Sequence, residues 1–379
     1  MRDLLLHIGM PKTGTTAVQH VLSHNVDALE RAGVVYRGWG GADRSHNFLA
    51  RWVHDGRDED VDRVVRQLDG SADATAVISC GPLFCLTANQ AKRRMDRELL
   101  ARLDEREERA VNRLARLTRE HFERVGILVY LRRQDLALES AYNQSVKNRS
   151  WHGGDIHEFR EYYGPTLRYD RVLDRWARAF GDEALDVRVY ERSVLVGGDV
   201  VTDFCSALEV DPGSLPAGWD RDQRAANLRL PRDVFEYKRG LNRVPMSKLE
   251  ARQAKWALRQ VAQDIGLDPD RWSEILEPAE RQAVIAEHAR ENAEVARRFA
   301  AGPGDRLFSE MPDAGTEQAD PYPGLSAETG LEIHFRFRRI WNSPGYRHQR
   351  LWARLRSLIA GLLRPPRAAT RRIRAAIRT

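Results

Sequence analysis

Four short runs of apolar and β-branched residues punctuate the first half of the chain: Leu4 to Ile8, Ala76 to Ser79, Val125 to Leu131, and Val187 to Tyr190. Each reads as a buried strand, because a strand covered on both faces needs no polar alternation. Between and after these runs lie segments of helical periodicity, Ala17 to Ala32, Arg94 to Arg124, Asp135 to Asn148 and Arg168 to Phe180. Strands that alternate with helices are joined by right-handed crossovers, so the pattern predicts an α/β fold of three layers, a parallel sheet between helices. After about Val210 the strand signal stops, and Pro231 to Leu241, Ser247 to Ile265 and Pro278 to Ala300 read as helices flanking that sheet. From Gly302 to Gly330 Pro, Gly, Asp and Glu accumulate and periodicity fails, which marks a loop or linker. The expected division is a domain over 1–312, a linker and irregular segment over 313–345, and a basic tail over 346–379.

Charge is distributed unevenly. Of 61 Lys and Arg side chains, ten arginines fall within 347–379, where there is no acid; the first 346 residues therefore carry 51 basic against 55 acidic groups. Basic character belongs to the tail and not to the domain. The mixed charges of the Arg93 to Arg124 stretch, at helical spacing, read as a solvated helix face. Three cysteines, Cys80, Cys85 and Cys205, form no metal-spaced cluster and suit a reducing compartment. No apolar run reaches the length of a membrane span, and the start of the chain is too short in apolar residues for a secretory signal, so a cytoplasmic protein is expected.

The segment Leu4-Leu5-Leu6-His7-Ile8-Gly9-Met10-Pro11-Lys12-Thr13-Gly14-Thr15-Thr16 reads as a strand, a glycine-containing turn and the start of a helix. Such a turn aims backbone N–H groups and a helix N-terminus at one spot, where the peptide dipoles favour an anion. Lys12 adds a mobile charge, and Thr13, Thr15 and Thr16 add hydroxyl donors. The Walker loop of nucleoside triphosphatases places its lysine after the second glycine; here Lys12 precedes Gly14, so that pattern fails. The bland alternative is a turn that merely caps a helix.

The order Pro11-Lys12-Thr13-Gly14-Thr15-Thr16 resembles the 5′-phosphosulfate loop of the sulfotransferase superfamily, in particular bacterial members that act on glycans. The resemblance implies a P-loop-like fold and the donor 3′-phosphoadenosine 5′-phosphosulfate, with Lys12 at the bridging oxygen and sulfonate, and Gly14, Thr15 and Thr16 at the 5′-phosphate. The family's second signature, a strand ending in arginine with a serine eight residues on, is matched by Arg132 and Ser140, which would grip the 3′-phosphate. A guanidinium fork meets two phosphate oxygens at once and a serine hydroxyl donates a third bond; the alternative is that Arg132 or Arg133 pairs with Asp135 or Glu139. Val189-Tyr190-Glu191-Arg192 is similar to the family's strand ending in Tyr-Glu, which would place Tyr190 near the adenine, although an aromatic at a strand end is also common core. Ala225-Ala226-Asn227-Leu228 to Arg243 is similar too, and the resemblance spans about residues 4 to 310.

Sulfonate transfer to a hydroxyl relies on positioning and on charge stabilisation, the role implied for Lys12, and on a base for the acceptor's proton. His46, in Asp43-Arg44-Ser45-His46-Asn47-Phe48, resembles a histidine that follows the first helix in bacterial members and is the expected base. Related sequences often place an acid after the second strand, where this chain has Ser79-Cys80-Gly81-Pro82. The expected function is sulfonation of a carbohydrate or lipid-linked glycan, the expected partner a hydroxyl-bearing glycan or glycolipid, with no metal. A non-catalytic nucleotide-binding member of the fold and a P-loop kinase are the alternatives. In the tail, Leu351, Leu355, Leu358, Ile359, Leu362 and Leu363 follow one helical stripe flanked by arginines. That suits peripheral attachment to an anionic membrane surface through 347–379, or packing on the protein's own core; nucleic acid is not expected.

Overall fold

A computed structural model describes residues 3–38, 45–68, 74–148, 151, 154–216, 230–304, 306–309, 311, 321–349 and 351. Five parallel strands, β1 (Asp3–His7), β2 (Val34–Val35), β3 (Thr75–Ser79), β4 (Arg124–Leu131) and β5 (Leu185–Val189), lie in the order β2-β3-β1-β4-β5. The helices of this part are α1 (Thr15–His24), α2 (Val26–Arg31), α3 (Asn47–Asp55), α4 (Asp58–Gln67), α5 (Leu86–Arg94), α6 (Arg97–Ala101), α7 (Leu103–Arg119), α8 (Gln134–Lys147), α9 (Ile156–Tyr163), α10 (Tyr169–Phe180) and α11 (Val200–Ala207). The predicted α/β architecture with a parallel sheet is the one observed. Central β1 pairs His7 with Ser79 on one side and with Leu128 on the other. Leu4, Leu6, Val77, Ile78, Leu128 and Val129 are buried, as continuous apolar strands require.

From β1 the chain moves to one side of the sheet to form β2 and β3, and from β4 it moves to the other side to form β5. The connections therefore diverge between β1 and β4, and in open α/β sheets the crevice beyond the carboxyl ends at such a divergence is the usual ligand position. One face of the sheet is covered by α1 and α11, whose Val18, Val21, Leu22, Val200 and Phe204 pack with Val77, Leu128 and Tyr130. Each such side chain contributes about 1.5–3 kcal/mol through burial.

The turn from β4 into α8 is fixed by a buried ionic cluster. Asp135, fully buried, accepts from Arg133 Nε at 2.7 Å and from Arg281 Nη1 at 2.6 Å. Arg281 also reaches Glu139, whose other oxygen accepts the backbone N–H groups of Ile275 and Leu276 at 2.6 and 2.8 Å. Arg133, not Arg132, is thus the partner of Asp135.

Two compact units are present: Met1–Ser145 with Ser150–Arg229 and Glu274–Pro321, and Val146–Arg149 with Leu230–Ser273 and Tyr322–Thr379. The first holds the sheet. The second holds the helices Arg232–Leu241, Lys248–Ile265 and Ala327–Trp341. Residues 230–273 thus belong to the second unit, and the chain returns to the first at Glu274. The expected irregular stretch over 313–345 contains the fifteen-residue helix Ala327–Trp341, capped by Ser326 accepting from Thr329 N–H and buried through Ile333 and Phe337. Ala17 to Ala32 is likewise two helices: Asn25, buried, turns its amide onto Val21 O at 2.8 Å and ends the first. The tail stripe beyond Leu351 lies outside the described residues, and among those described no helix is long and apolar enough to cross a membrane.

Asp135→Ala leaves Arg133 and Arg281 buried without their shared counter-ion, and is expected to cost about 3–5 kcal/mol in urea unfolding. Burial alone would raise the Asp135 carboxyl, but the hydrogen bonds and charges of Arg133 and Arg281 hold it below its ordinary range. Its contribution is therefore complete above about pH 4, the unfolded value, and is lost as pH falls through the lower folded value. A variant as stable as wild type at pH 7 would contradict this role.

Candidate functional site

Residues 8–14 carry the chain from the end of β1 into α1, and their geometry is set by close backbone contacts. A Cβ on Gly9 would lie 2.6 Å from Thr15 Oγ1 and 2.9 Å from the Gly81 Cα, so only glycine fits between the loop and the end of β3. Gly14, at φ 80°, is the N-cap of α1, and a Cβ there would meet Val200 Cγ1 at 2.5 Å. Its carbonyl accepts from Ala17 and Val18 N–H, and no side chain caps the helix. The first N–H groups of α1 have no partner within the helix, as at any N-terminus, and the helix dipole favours an anion before them. Thr13, fully buried, donates its hydroxyl to Met10 O at 2.8 Å, which closes the loop from inside. Pro11 and Thr15 are half-buried and Thr16 is exposed at the helix start.

Lys12 adopts φ 72°, a conformation uncommon for a side-chain-bearing residue, and such strain collects where a loop is shaped for a ligand. Its carbonyl accepts from Arg132 Nη1 at 3.2 Å across 120 residues of sequence. The loop and the end of β4 are thereby joined over the crevice between β1 and β4. Arg132 is held by its own carbonyl as well, which accepts from the Tyr169 hydroxyl. Tyr190, just past β5, donates its N–H to Leu131 O at 2.7 Å, and its half-buried ring lies 6.0 Å from the Arg132 guanidinium. Glu191, next to it, is buried and accepts from Ser309 N–H and Oγ, which fixes the end of that strand. Ser140 is half-buried in α8, the helix that begins two residues after Arg132.

His46, the expected base, stands apart from this group. It is fully buried; Nδ1 accepts from Ser79 N–H at 3.3 Å, and Nε2 therefore donates to Arg37 O at 3.0 Å. Burial pushes its pKa down to about 4 against a smaller upward effect of that carbonyl. A ring with both nitrogens committed and no exposed atom has nowhere to receive a substrate proton, so His46 is a structural pin between α3 and β3. His7 is a second buried neutral imidazole, its Nδ1 3.0 Å from Ser79 Oγ and its pKa pushed down to about 3 by burial.

Gln19 and Asn47 are the residues that sequence reading did not single out. Asn47 Oδ1 receives Gly81 N–H at 3.1 Å and Gln19 Nε2 at 3.3 Å, and Gln19 Nε2 also donates to Ser79 O at 3.2 Å. These links span 28 to 60 residues and leave no periodic trace. Asp62, Glu120 and His121 also gather at one point, but His121 and Arg66 hold Asp62 and Arg116 holds Glu120, which makes a surface ion-pair network of them.

No protein-family model matches the chain. An uncharacterised protein of Archaeoglobus fulgidus is 42% identical over 88 residues, 22% of this chain and 22% of that protein, so the match spans about a fifth of either length. A solved sulfotransferase from Alicyclobacillus acidocaldarius is similar over 71% of this chain and 97% of its own, at 16% identity and a TM-score of 0.31.

His46→Ala strands the Ser79 N–H and the Arg37 carbonyl, and should cost about 1–3 kcal/mol at pH 7.5. Wild-type His46 binds a proton more readily when unfolded, so its contribution is complete above about pH 6.5 and declines as pH falls towards 4. Urea unfolding should therefore show the difference between wild type and variant shrinking by about 2 kcal/mol from pH 7.5 to pH 5. A difference independent of pH would mean that the ring is not held neutral.

Proposed function

We propose that this protein is a sulfotransferase that moves the sulfonate of 3′-phosphoadenosine 5′-phosphosulfate onto a hydroxyl of a carbohydrate or lipid-linked glycan. The observation that carries the reading is the join between Lys12 and Arg132 at the crevice between β1 and β4. A loop shaped for one phosphate and an arginine for another, tied at that distance, suit a nucleotide with phosphates at both ends of its ribose. Lys12, Gly14, Thr15 and Thr16 would take the 5′-phosphosulfate, Arg132 and Ser140 the 3′-phosphate, and the Tyr190 ring the adenine side. In the reaction the acceptor hydroxyl oxygen forms a bond to sulfur and gives up its proton to solvent water, the bond from sulfur to the bridging phosphate oxygen breaks, and adenosine 3′,5′-bisphosphate leaves with its new charge beside Lys12. The choice of a glycan acceptor rests on the resemblance of the loop to bacterial glycan-modifying members.

A second reading, a nucleotide-binding protein without turnover, is favoured by two observations. Gly81 stands where related sequences carry an acid, and His46 is sealed in the core. Transfer from radiolabelled donor to a cell-envelope extract separates the two: a labelled product supports the enzyme, and donor binding without product supports the second.

For the donor site, calorimetry should show adenosine 3′,5′-bisphosphate binding at least about tenfold more tightly than adenosine 5′-phosphate, since each charge-assisted bond to the 3′-phosphate contributes roughly 1.5–3 kcal/mol. Arg132→Ala should abolish that preference. Lys12→Ala should lower the turnover number more than it weakens nucleotide binding. Equal affinities for the two nucleotides in wild type would overturn the assignment.

A further inference from the structure

The loop at residues 9–14 has two flanks. On the β4 side stand Arg132 and Tyr190, and on the β3 side stand Gly81, Asn47 and Gln19. A nucleotide whose 3′-phosphate and base occupy the β4 and β5 side must direct the far end of its 5′-phosphosulfate towards β3. The space there is close to the loop: a Cβ built on Gly81 would sit 3.4 Å from Thr15 Cγ2, 3.8 Å from Gly9 O and 3.8 Å from Asn47 Oδ1. An acid at that position would fill this space; glycine leaves it to the neighbouring side chains.

Of those neighbours, Asn47 has an orientation fixed by its partners. Its Oδ1 receives two donors, Gly81 N–H and Gln19 Nε2. Turning the amide over would place N–H against N–H at both contacts, so the oxygen must face them and the Nδ2 group must face away. Among the described residues Nδ2 has no hydrogen-bond partner, although Asn47 is half-buried beside the loop. His46 pins the first turn of α3 through Ser79 N–H and Arg37 O, and Gln19 ties the amide to Ser79 O, so the group is held in place from both ends. A pre-oriented neutral donor next to an anion-binding loop is the chemistry that recognises a terminal sulfonate oxygen, since it stabilises negative charge without neutralising Lys12.

We infer that Asn47 is a donor-binding residue whose amide N–H hydrogen-bonds a sulfonate oxygen on the β3 side of the loop, opposite Arg132. This rests on the donor proposed above, and it adds the group that distinguishes the intact donor from the desulfonated product.

The experiment is calorimetry of full-length wild type and Asn47→Ala with two ligands, 3′-phosphoadenosine 5′-phosphosulfate and adenosine 3′,5′-bisphosphate, which differ only by the sulfonate. Asn47→Ala should weaken the intact donor roughly tenfold, the loss of one bond to a charged group, and leave the bisphosphate within about twofold. Asn47→Ser, which removes the amide while keeping an oxygen near Gly81 N–H, should show the same inequality and serves if the alanine variant does not fold. Equal weakening of both ligands would show that Asn47 only shapes the loop and would overturn the inference, as would no change in either. Wild type that binds neither nucleotide would instead remove the donor reading itself, a result distinct from any failure of Asn47.

Discussion

The bond from Arg132 to the Lys12 carbonyl is the contact on which the arrangement of the site depends. It joins the two chain segments that leave the sheet in opposite directions, and it does so at the carboxyl ends of β1 and β4, where the connections diverge. The backbone of Lys12 must be turned into the left-handed region for the loop to take this shape. That conformation is tolerated because the surroundings over-determine it: Thr13 closes the loop onto Met10, Gly14 presses against Val200, and Gly9 presses against the end of β3. Arg132 is fixed in turn by the buried Arg133–Asp135–Arg281 cluster immediately after it. The geometry of the loop is thus a by-product of core ionic and steric contacts.

The other flank uses buried polar groups to a similar end. His7 and His46 converge on Ser79 from two directions, one through its hydroxyl and one through its N–H. Burial keeps both imidazoles neutral, so they act as fixed hydrogen-bonding pieces and not as titrating groups. Their effect reaches the site through the residue after each: Ile8 leads into the loop, and Asn47 stands beside Gly81. A histidine that resembles a base by its place in the sequence is thus a support for its neighbour, a difference decided by two backbone atoms, Arg37 O and Ser79 N–H.

What could be read from the sequence follows the range of the forces involved. Four of the five strands were legible from short apolar or β-branched runs, continuous in β1, β3 and β4 and alternating in β5, where Asp186 is exposed and Arg188 half-buried, whereas β2, two residues long, is below the length at which any pattern forms. The strand, turn and helix start over residues 4–16 were legible because an apolar run and glycines are local signals, whereas Arg132 was singled out only by resemblance to a family signature. The break at Asn25 was not, since a side-chain bond to Val21 O leaves no Gly or Pro signal. The helix Ala327–Trp341 was hidden by the Pro- and Gly-rich stretch before it, although Ser326 and Thr329 mark its start. Asn47 and Gln19 were invisible for a different reason: their partners are backbone atoms and amides brought together only when β3 docks beside β1.

We propose that the ends of β1 and β4 hold both phosphates of a single nucleotide, and a crystal structure with adenosine 3′,5′-bisphosphate tests this most directly. The 5′-phosphate is expected on the N–H groups of residues 12–16 and the 3′-phosphate within hydrogen-bonding distance of Arg132 and Ser140. A nucleotide bound with its 3′-phosphate in solvent, or bound anywhere other than between the ends of β1 and β4, would contradict it.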